Sequence, residues 1–165
     1  MKIAGYVVLV FLAAALESVL PRVFFLDAAR PLLVAILVVQ FARDLGTVEG
    51  AALSVFAGFA EDATAGFPMG RAAFACVALF VGARLAFGGL RAEGRFLEIV
   101  LAALAAVFWR LAVTAVDRLL GPALTPFALG AWWRWAMWSA LATAVCSPFV
   151  FHAARVVARL QKRAA

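Results

Sequence analysis

The stretch GTVEGAALSVFAGFAEDATAGFPMG, residues 46–70, places a small or acidic residue at every fourth position of a strongly apolar chain. The members of this series are Gly46, Gly50, Ser54, Gly58, Asp62, Gly66 and Gly70. In a membrane helix, small residues four positions apart lie near one face and let a second helix approach closely. The spacing therefore predicts that Gly50, Ser54 and Gly58 form a helix–helix seam.

The end of this stretch combines a predicted turn with two adjacent acids. Gly66, Pro68 and Gly70 predict the turn, because glycine and proline interrupt helices. Neighbouring helical residues point about 100° apart, so Glu61 and Asp62 have poor geometry for a shared metal or proton site. We expect Asp62 to accept hydrogen bonds from the turn and Glu61 to meet water. A structural ion pair within the protein is the alternative.

The composition of the whole chain is that of a membrane protein. Of its 165 residues, 67% are hydrophobic, and the mean hydropathy is +1.05, whereas soluble domains are about 45–50% apolar. Lipid is therefore the expected solvent, and we predict one polytopic membrane domain over residues 1–165. The formal net charge of +6 is spread over loops and the C-terminal tail, which favours contact with membrane lipid and no nucleic-acid partner.

The apolar runs predict an all-α integral membrane protein with six transmembrane helices. We place them at residues 3–20, 29–43, 47–62, 71–88, 96–118 and 131–158. The apolar runs of the second and third helices reach only about 18–21 Å, less than the roughly 30 Å of hydrocarbon in a bilayer. These two helices must borrow flanking residues or be covered by protein. Four spanning helices is the alternative count.

The start of the chain also has the features of a secretory signal peptide. Lys2 precedes an apolar run, and three alanines follow at Ala13–Ala15, as at a cleavage site. Because the rest of the chain is equally apolar, we expect this segment to be retained as the first helix.

The distribution of basic residues predicts the orientation of the helices. With six helices and a cytoplasmic N-terminus, nine Lys and Arg residues fall inside and four outside, as the positive-inside rule requires. The inner set is Lys2, Arg43, Arg84, Arg91, Arg95, Arg155, Arg159, Lys162 and Arg163, and the outer set is Arg22, Arg30, Arg71 and Arg118. We therefore expect both termini in the cytoplasm.

Arg110 is the most anomalous charge, because it lies in the middle of the fifth apolar run. Thr114 and Asp117 follow it on the same helical face, but Asp117 lies about 10 Å further along the axis. That distance excludes a direct bond to Arg110. A carboxylate of another helix, Glu17 or Asp62, is the better expected partner, and snorkelling of Arg110 to the outer interface is the alternative.

The sequence gives no indication of an enzyme or of a cofactor. It contains no GxSxG, HExxH or phosphate-loop motif. His152 is the only histidine, and Cys76 and Cys146 lie far apart in apolar runs. We therefore predict no catalytic, metal or cofactor residues, and we interpret both cysteines as packing residues.

The order of these features resembles the MreD family, the rod shape-determining membrane proteins of bacteria. The resemblance rests on Arg30–Pro31, Gly46, Gly50, Gly58, Asp62, Ala65–Gly66, Met69–Gly70, Asp117, Pro148 and the basic tail. Gly58, Asp62, Gly66 and Gly70 match the family's glycine and aspartate motif. This chain departs from the family by carrying Glu61 where an apolar residue is more usual.

The resemblance implies a function and a set of partners. It implies a fold similar to the S components of energy-coupling-factor transporters, location in the inner membrane, and binding to the single-helix protein MreC. It also implies links to MreB, to RodA and to a penicillin-binding transpeptidase. We expect a non-enzymatic scaffold whose Gly50–Gly58 seam receives the MreC helix. The alternative is a vitamin-binding S component, although the expected Ala-x-x-x-Ala motif is missing from the first helix.

Overall fold

A computed structural model describes residues 2–24, 30–66, 70–89, 95–120 and 129–163, and these residues form six α-helices. The helices are α1 (Lys2–Phe24), α2 (Leu33–Asp44), α3 (Thr47–Ala65), α4 (Arg71–Gly89), α5 (Arg95–Leu120) and α6 (Leu129–Arg163). The prediction of an all-α protein with six helices is confirmed for this part of the chain. Pro68 lies outside the described residues.

Three of the described helices are long and apolar enough to cross a bilayer. Their spans are Arg71–Gly88, Glu98–Leu119 and Trp132–Arg159. A shorter apolar stretch, Ala4–Leu20, lies within α1. The chain is therefore a multi-pass membrane protein. Exposed tryptophans at the start of α6, Trp133, Trp135 and Trp138, are typical of a membrane interface.

The short helix α2 lies at the centre of the bundle. It has 12 residues, and every side chain from Leu33 to Ala42 is buried. It packs against each of the other five helices. A helix that is apolar on all faces belongs inside a protein, and α2 is covered by protein instead of lipid. A helix of about 18 Å need not span the bilayer, because the other five helices cover it.

The last turn of α2 receives its hydrogen bonds from α4. The Arg84 guanidinium donates to the carbonyl oxygens of Ala42 and Leu45, both at 2.8 Å. The terminal carbonyls of a helix have no intrahelical donor, and lipid supplies none. Arg84 therefore satisfies carbonyl groups at the end of α2.

Pro148 lies inside α6 and cannot donate a backbone hydrogen bond to the preceding turn. The Ser147 hydroxyl donates instead to the Ala144 carbonyl at 2.8 Å. This local replacement allows α6 to continue through the proline to Arg163.

Ion pairs define two ends of the bundle. At the C-terminal end, Glu98 of α5 pairs with Arg43 of α2 at 2.8 Å and with Arg155 of α6 at 3.4 Å. At the opposite end, Arg71 of α4 pairs with Asp117 of α5 at 2.8 Å. Arg43 and Arg155, which meet at the C-terminal end, both belong to the set of basic residues predicted to be cytoplasmic.

Candidate functional site

The start of α2 is held by side chains from two other helices. The Leu32 N–H donates to Thr143 Oγ1 of α6 at 3.0 Å, and the Val34 N–H donates to Glu17 Oε2 of α1 at 3.3 Å. The first N–H groups of a helix need external acceptors, and Leu32 supplies no side-chain cap. Because this helix end is buried, its acceptors come from neighbouring helices.

The segment before α2 is tied to α6 by a chain of hydroxyl groups. Thr143 Oγ1 donates to the Ser139 carbonyl at 2.7 Å, and Ser139 Oγ donates to the Arg30 carbonyl at 2.8 Å. These bonds fix the position of Arg30, whose guanidinium then reaches the interior.

Glu17 of α1 is fully buried, with 0% of its surface exposed, and Arg30 is its cationic partner. The Arg30 Nε lies 3.5 Å from Glu17 Oε1. Acidic side chains at membrane depth normally have such partners. The prediction that Glu17 pairs with Arg110 is therefore wrong, because Arg30 and the Val34 N–H already occupy its carboxylate.

Asp62, 1% exposed, joins the end of α3 to the start of α4. Its Oδ2 accepts from the Gly70 N–H at 2.8 Å, and its Oδ1 accepts from the Ala72 N–H at 2.9 Å. Both carboxylate oxygens are thus used by the N-terminal backbone of α4, where negative charge is favoured. Asp62 makes no ion pair with Arg110. The expected pairing of Arg110 with Asp62 is therefore not formed.

Two glycines flank the connection between α3 and α4. Gly66 closes α3 in the left-handed conformation (φ 69°), and its N–H donates to the Asp62 carbonyl. Gly70 also has a positive φ, of 101°, and precedes the first residue of α4. Glycine adopts such angles without the steric cost that a Cβ brings. The turn therefore delivers the N-terminus of α4 to the Asp62 side chain.

Glu61 is as buried as Asp62, with 1% of its surface exposed, so the prediction that it meets water is wrong. Its carboxyl group faces that of Glu17 and lies near the charges of Arg30 and Asp62. Neither Glu61 oxygen has a hydrogen-bond donor among the described residues. Two helices, α1 and α4, pack on adjacent faces of α3, so burial extends over both faces. The burial of Glu61 could not be predicted from the sequence because it depends on which helices pack on α3.

We call the group formed by Glu17, Arg30, Glu61 and Asp62 the buried polar cluster. It brings together α1, the segment before α2, and the end of α3. Trp109 Nε1 and Arg110 Nε of α5 are also buried without a hydrogen-bond partner in the described part of the chain. Buried charges are costly unless they are paired, so this cluster can exist only while these helices stay packed.

Arg110 lies near Arg30, Glu17 and Glu61 of the cluster. It also lines a groove at the end of the bundle where Arg71 pairs with Asp117. Its guanidinium carbon is 5.8 Å from the centre of the Trp135 ring, a cation–π contact. The groove has a volume of about 220 Å³. Its lining is formed by Arg71, Arg110, Val113, Thr114, Asp117, Trp132 and Trp135.

Polar contacts connect the walls of this groove. Trp132 Nε1 donates to Thr114 Oγ1 at 3.0 Å, and Thr114 Oγ1 donates to the Arg110 carbonyl at 2.7 Å. Asp117 is paired with Arg71, which sequence reasoning did not consider as its partner. The predicted common face of Arg110, Thr114 and Asp117 therefore meets α4 and α6, not α1 or α3.

The Gly50–Ser54–Gly58 seam is buried and is filled by α4 of the same chain. A Cβ on Gly58 would lie 2.2 Å from the Ala73 Cα, and one on Gly50 would lie 2.5 Å from the Phe80 ring. Ser54 Oγ donates to the Gly50 carbonyl at 2.7 Å and stays within α3. The expectation that this seam receives a partner helix is therefore wrong, because α4 already occupies it.

Of the remaining residues, His152 and Cys146 lie apart from the buried polar cluster, whereas Cys76 lies near Glu61 and Glu17. His152 is exposed on α6, Cys76 is buried in the core, and Cys146 is half-buried. Among the described residues, no three His, Cys, Asp or Glu side chains gather as metal ligands. The arrangement of the cluster can hold helices in register through buried charge.

Comparison with known proteins gives one family. The sequence model of a family described as "rod shape-determining protein MreD" matches residues 1–157. No curated protein matches the chain, and no solved structure matches it.

Proposed function

Because the chain belongs to the MreD family, we propose that it is a membrane scaffold of the bacterial cell-elongation machinery. Membership of this family implies a non-enzymatic membrane protein with a role in rod shape determination. In the proposal, the chain binds MreC and helps couple MreB filaments to peptidoglycan synthesis by RodA and its penicillin-binding transpeptidase. The observation that carries the proposal is the family match over residues 1–157.

The packing of the bundle supports a scaffold over a small-molecule carrier. The short helix α2 fills the centre, and all of its side chains from Leu33 to Ala42 are buried. The buried polar cluster then ties α1, α3 and the start of α2 together. A body of this kind presents a fixed outer surface to a partner. A fold similar to the S components of energy-coupling-factor transporters is part of the same proposal.

A transmembrane partner has to use the lipid-facing surface, because α4 closes the α3 seam. α1 offers a row of exposed apolar side chains, namely Val8, Phe11, Leu12, Leu16 and Val19. Exposed apolar side chains of this kind face lipid by default, and a partner helix would replace lipid on such a surface. Association in lipid depends on close packing more than on hydrophobicity.

We expect MreC to co-purify with this chain from detergent-solubilised membranes. A tagged version of the chain would be compared with an equally expressed, equally tagged multi-pass protein of unrelated function. Enrichment of MreC with the chain, and not with the control, supports the scaffold. If the folded chain retains no more MreC than the control does, the proposed partner is wrong. A small molecule retained by mass spectrometry instead of MreC would favour the S-component alternative.

We further propose that the C-terminal end of the bundle faces the cytoplasm. Arg43, Arg84 and Arg155 meet there, and basic residues near membrane ends favour the cytoplasmic side. A green fluorescent protein fused after Arg163 should therefore fluoresce, whereas alkaline phosphatase fused after Gly66 or Leu120 should be active in the periplasm. Phosphatase activity at Arg163 together with none at Gly66 would reverse the orientation.

A further inference from the structure

A groove opens at the C-terminal end of the bundle, between the start of α5 and the second half of α6. Its volume is about 440 Å³, within the roughly 300–1,000 Å³ typical of ligand sites. Its floor includes Ile99, Pro148 and Phe149, and its rim includes Glu98, His152 and Arg155. We call it the α5–α6 groove. It is apolar along its length and polar at one edge.

Next to the rim of the α5–α6 groove lies an excess of positive charge, to which Arg43 contributes without lining the groove itself. Glu98 Oε1 is shared by two guanidinium groups, those of Arg43 at 2.8 Å and Arg155 at 3.4 Å. One carboxylate cannot neutralise two arginines, so these three side chains keep a net charge of about +1. His152 is exposed next to them, and the positive end of the α5 dipole lies at the same rim.

The floor of the groove lies at membrane depth. Ile99 belongs to the apolar span Glu98–Leu119, and Phe149 belongs to the span Trp132–Arg159. A soluble acidic peptide could reach the rim but not this floor. A phospholipid reaches both, because its phosphate lies at the membrane surface while its acyl chains lie in the hydrocarbon. Basic pockets between membrane helices are known to suit anionic lipid headgroups.

We propose that the α5–α6 groove binds one anionic phospholipid. The phosphate lies against Arg155 and His152, and an acyl chain lies along Ile99, Pro148 and Phe149. The Arg155 side chain, 40% exposed, has donors to spare for a phosphate beyond its long contact with Glu98. This inference requires only that the chain is embedded in a bilayer, so it is independent of the proposed scaffold role.

Lipid retention measured by native mass spectrometry tests the proposal. The full chain in a neutral detergent would be given equal amounts of phosphatidylglycerol and phosphatidylcholine with identical acyl chains. The wild-type protein should retain phosphatidylglycerol preferentially. Arg155→Ala should lower that preference about fivefold, since one basic residue near a membrane surface contributes about that factor. Arg155→Lys, which keeps the charge, should retain most of the preference.

Arg159→Ala is the matched control, because Arg159 is an exposed arginine one turn further along α6 and does not line the groove. It should leave the lipid preference near that of the wild type. Ile99→Trp, which fills the groove, should lower retention of both lipids.

Three outcomes would overturn the proposal. The first is an equal retention of both lipids by the wild type. The second is an equal effect of Arg155→Ala and Arg159→Ala, which would indicate diffuse surface charge. The third is displacement of phosphatidylglycerol by a soluble polyglutamate peptide, which would assign the rim to an acidic protein segment.

Discussion

Replacing Gly58 by leucine is expected to reduce the folded protein in the membrane to a small fraction of the wild-type amount. A Cβ at this position would lie 2.2 Å from the Ala73 Cα, 2.4 Å from the Ala73 nitrogen and 2.7 Å from the Ala72 carbonyl carbon. These are backbone atoms of α4, and they cannot rotate away as a flexible side chain could. We expect a loss of more than about 3 kcal/mol, at or beyond the upper end for overpacking. Membrane-fraction abundance and thermal unfolding in detergent measure it.

Gly46→Leu is the matched control for Gly58→Leu. Gly46 belongs to the same four-residue series, but nothing lies within 4 Å of a Cβ placed there. Its φ of −63° is open to any residue. Because Gly46 is the N-cap of α3, where leucine is disfavoured by about 1 kcal/mol, this variant should lose little stability and should accumulate near the wild-type amount. Similar unfolding of the two variants would show that α4 does not pack on Gly58. Because the clash is within the chain, the defect should appear whether or not MreC is present.

Substitutions of the two adjacent acids are expected to differ in their effect on stability. Asp62→Ala removes the acceptor of the Gly70 and Ala72 N–H groups, and each buried donor left unpaired costs about 1–3 kcal/mol. Asp62→Asn keeps one of the two acceptors and should be intermediate. Thermal unfolding in detergent would rank the variants, with Asp62→Ala clearly below the wild type.

Glu61→Gln is the control for the acidic pair, because it alters the adjacent buried carboxyl group. It removes no hydrogen bond within the described residues, where neither Glu61 oxygen has a partner. The new amide can donate to the Glu17 carboxyl group that it faces. We expect the stability to stay within about 1 kcal/mol of the wild type, since glutamine has the size of glutamate and can still form a hydrogen bond with the facing Glu17 carboxyl group. Equal destabilisation by Glu61→Gln and Asp62→Ala would contradict the assigned roles.

The sequence indicates that Gly58 and Asp62 are structurally important. It does not indicate which residues they contact. The four-residue series singled out Gly50 and Gly58 as sites of close helix approach. It could not identify the approaching helix, because small residues permit close packing without selecting a partner. The structure places α4 there, so a seam that we expected to receive the MreC helix is part of the chain's own core.

The partners of the buried charges were also beyond sequence reasoning. Arg110 was correctly recognised as anomalous, yet Glu17 pairs with Arg30 and Arg110 contacts Trp135. The sequence marks Arg30 as an orientation signal and as part of the Arg30–Pro31 pair in the family resemblance, but it indicates no buried partner for it. Its side chain turns inward because Ser139 of α6 fixes its backbone, and no local pattern in the sequence contains that information.

The sequence by itself determined that this chain is an all-α membrane protein with six helices, and that it resembles the MreD family. Hydropathy and glycine or proline punctuation act over a few neighbouring residues, so they can be read along the chain. The tertiary structure alone decided that Glu61 is buried, that Arg30 neutralises Glu17, and that α4 fills the seam of α3. Those outcomes depend on which helices pack together, and burial and pairing are properties of contacts between distant positions.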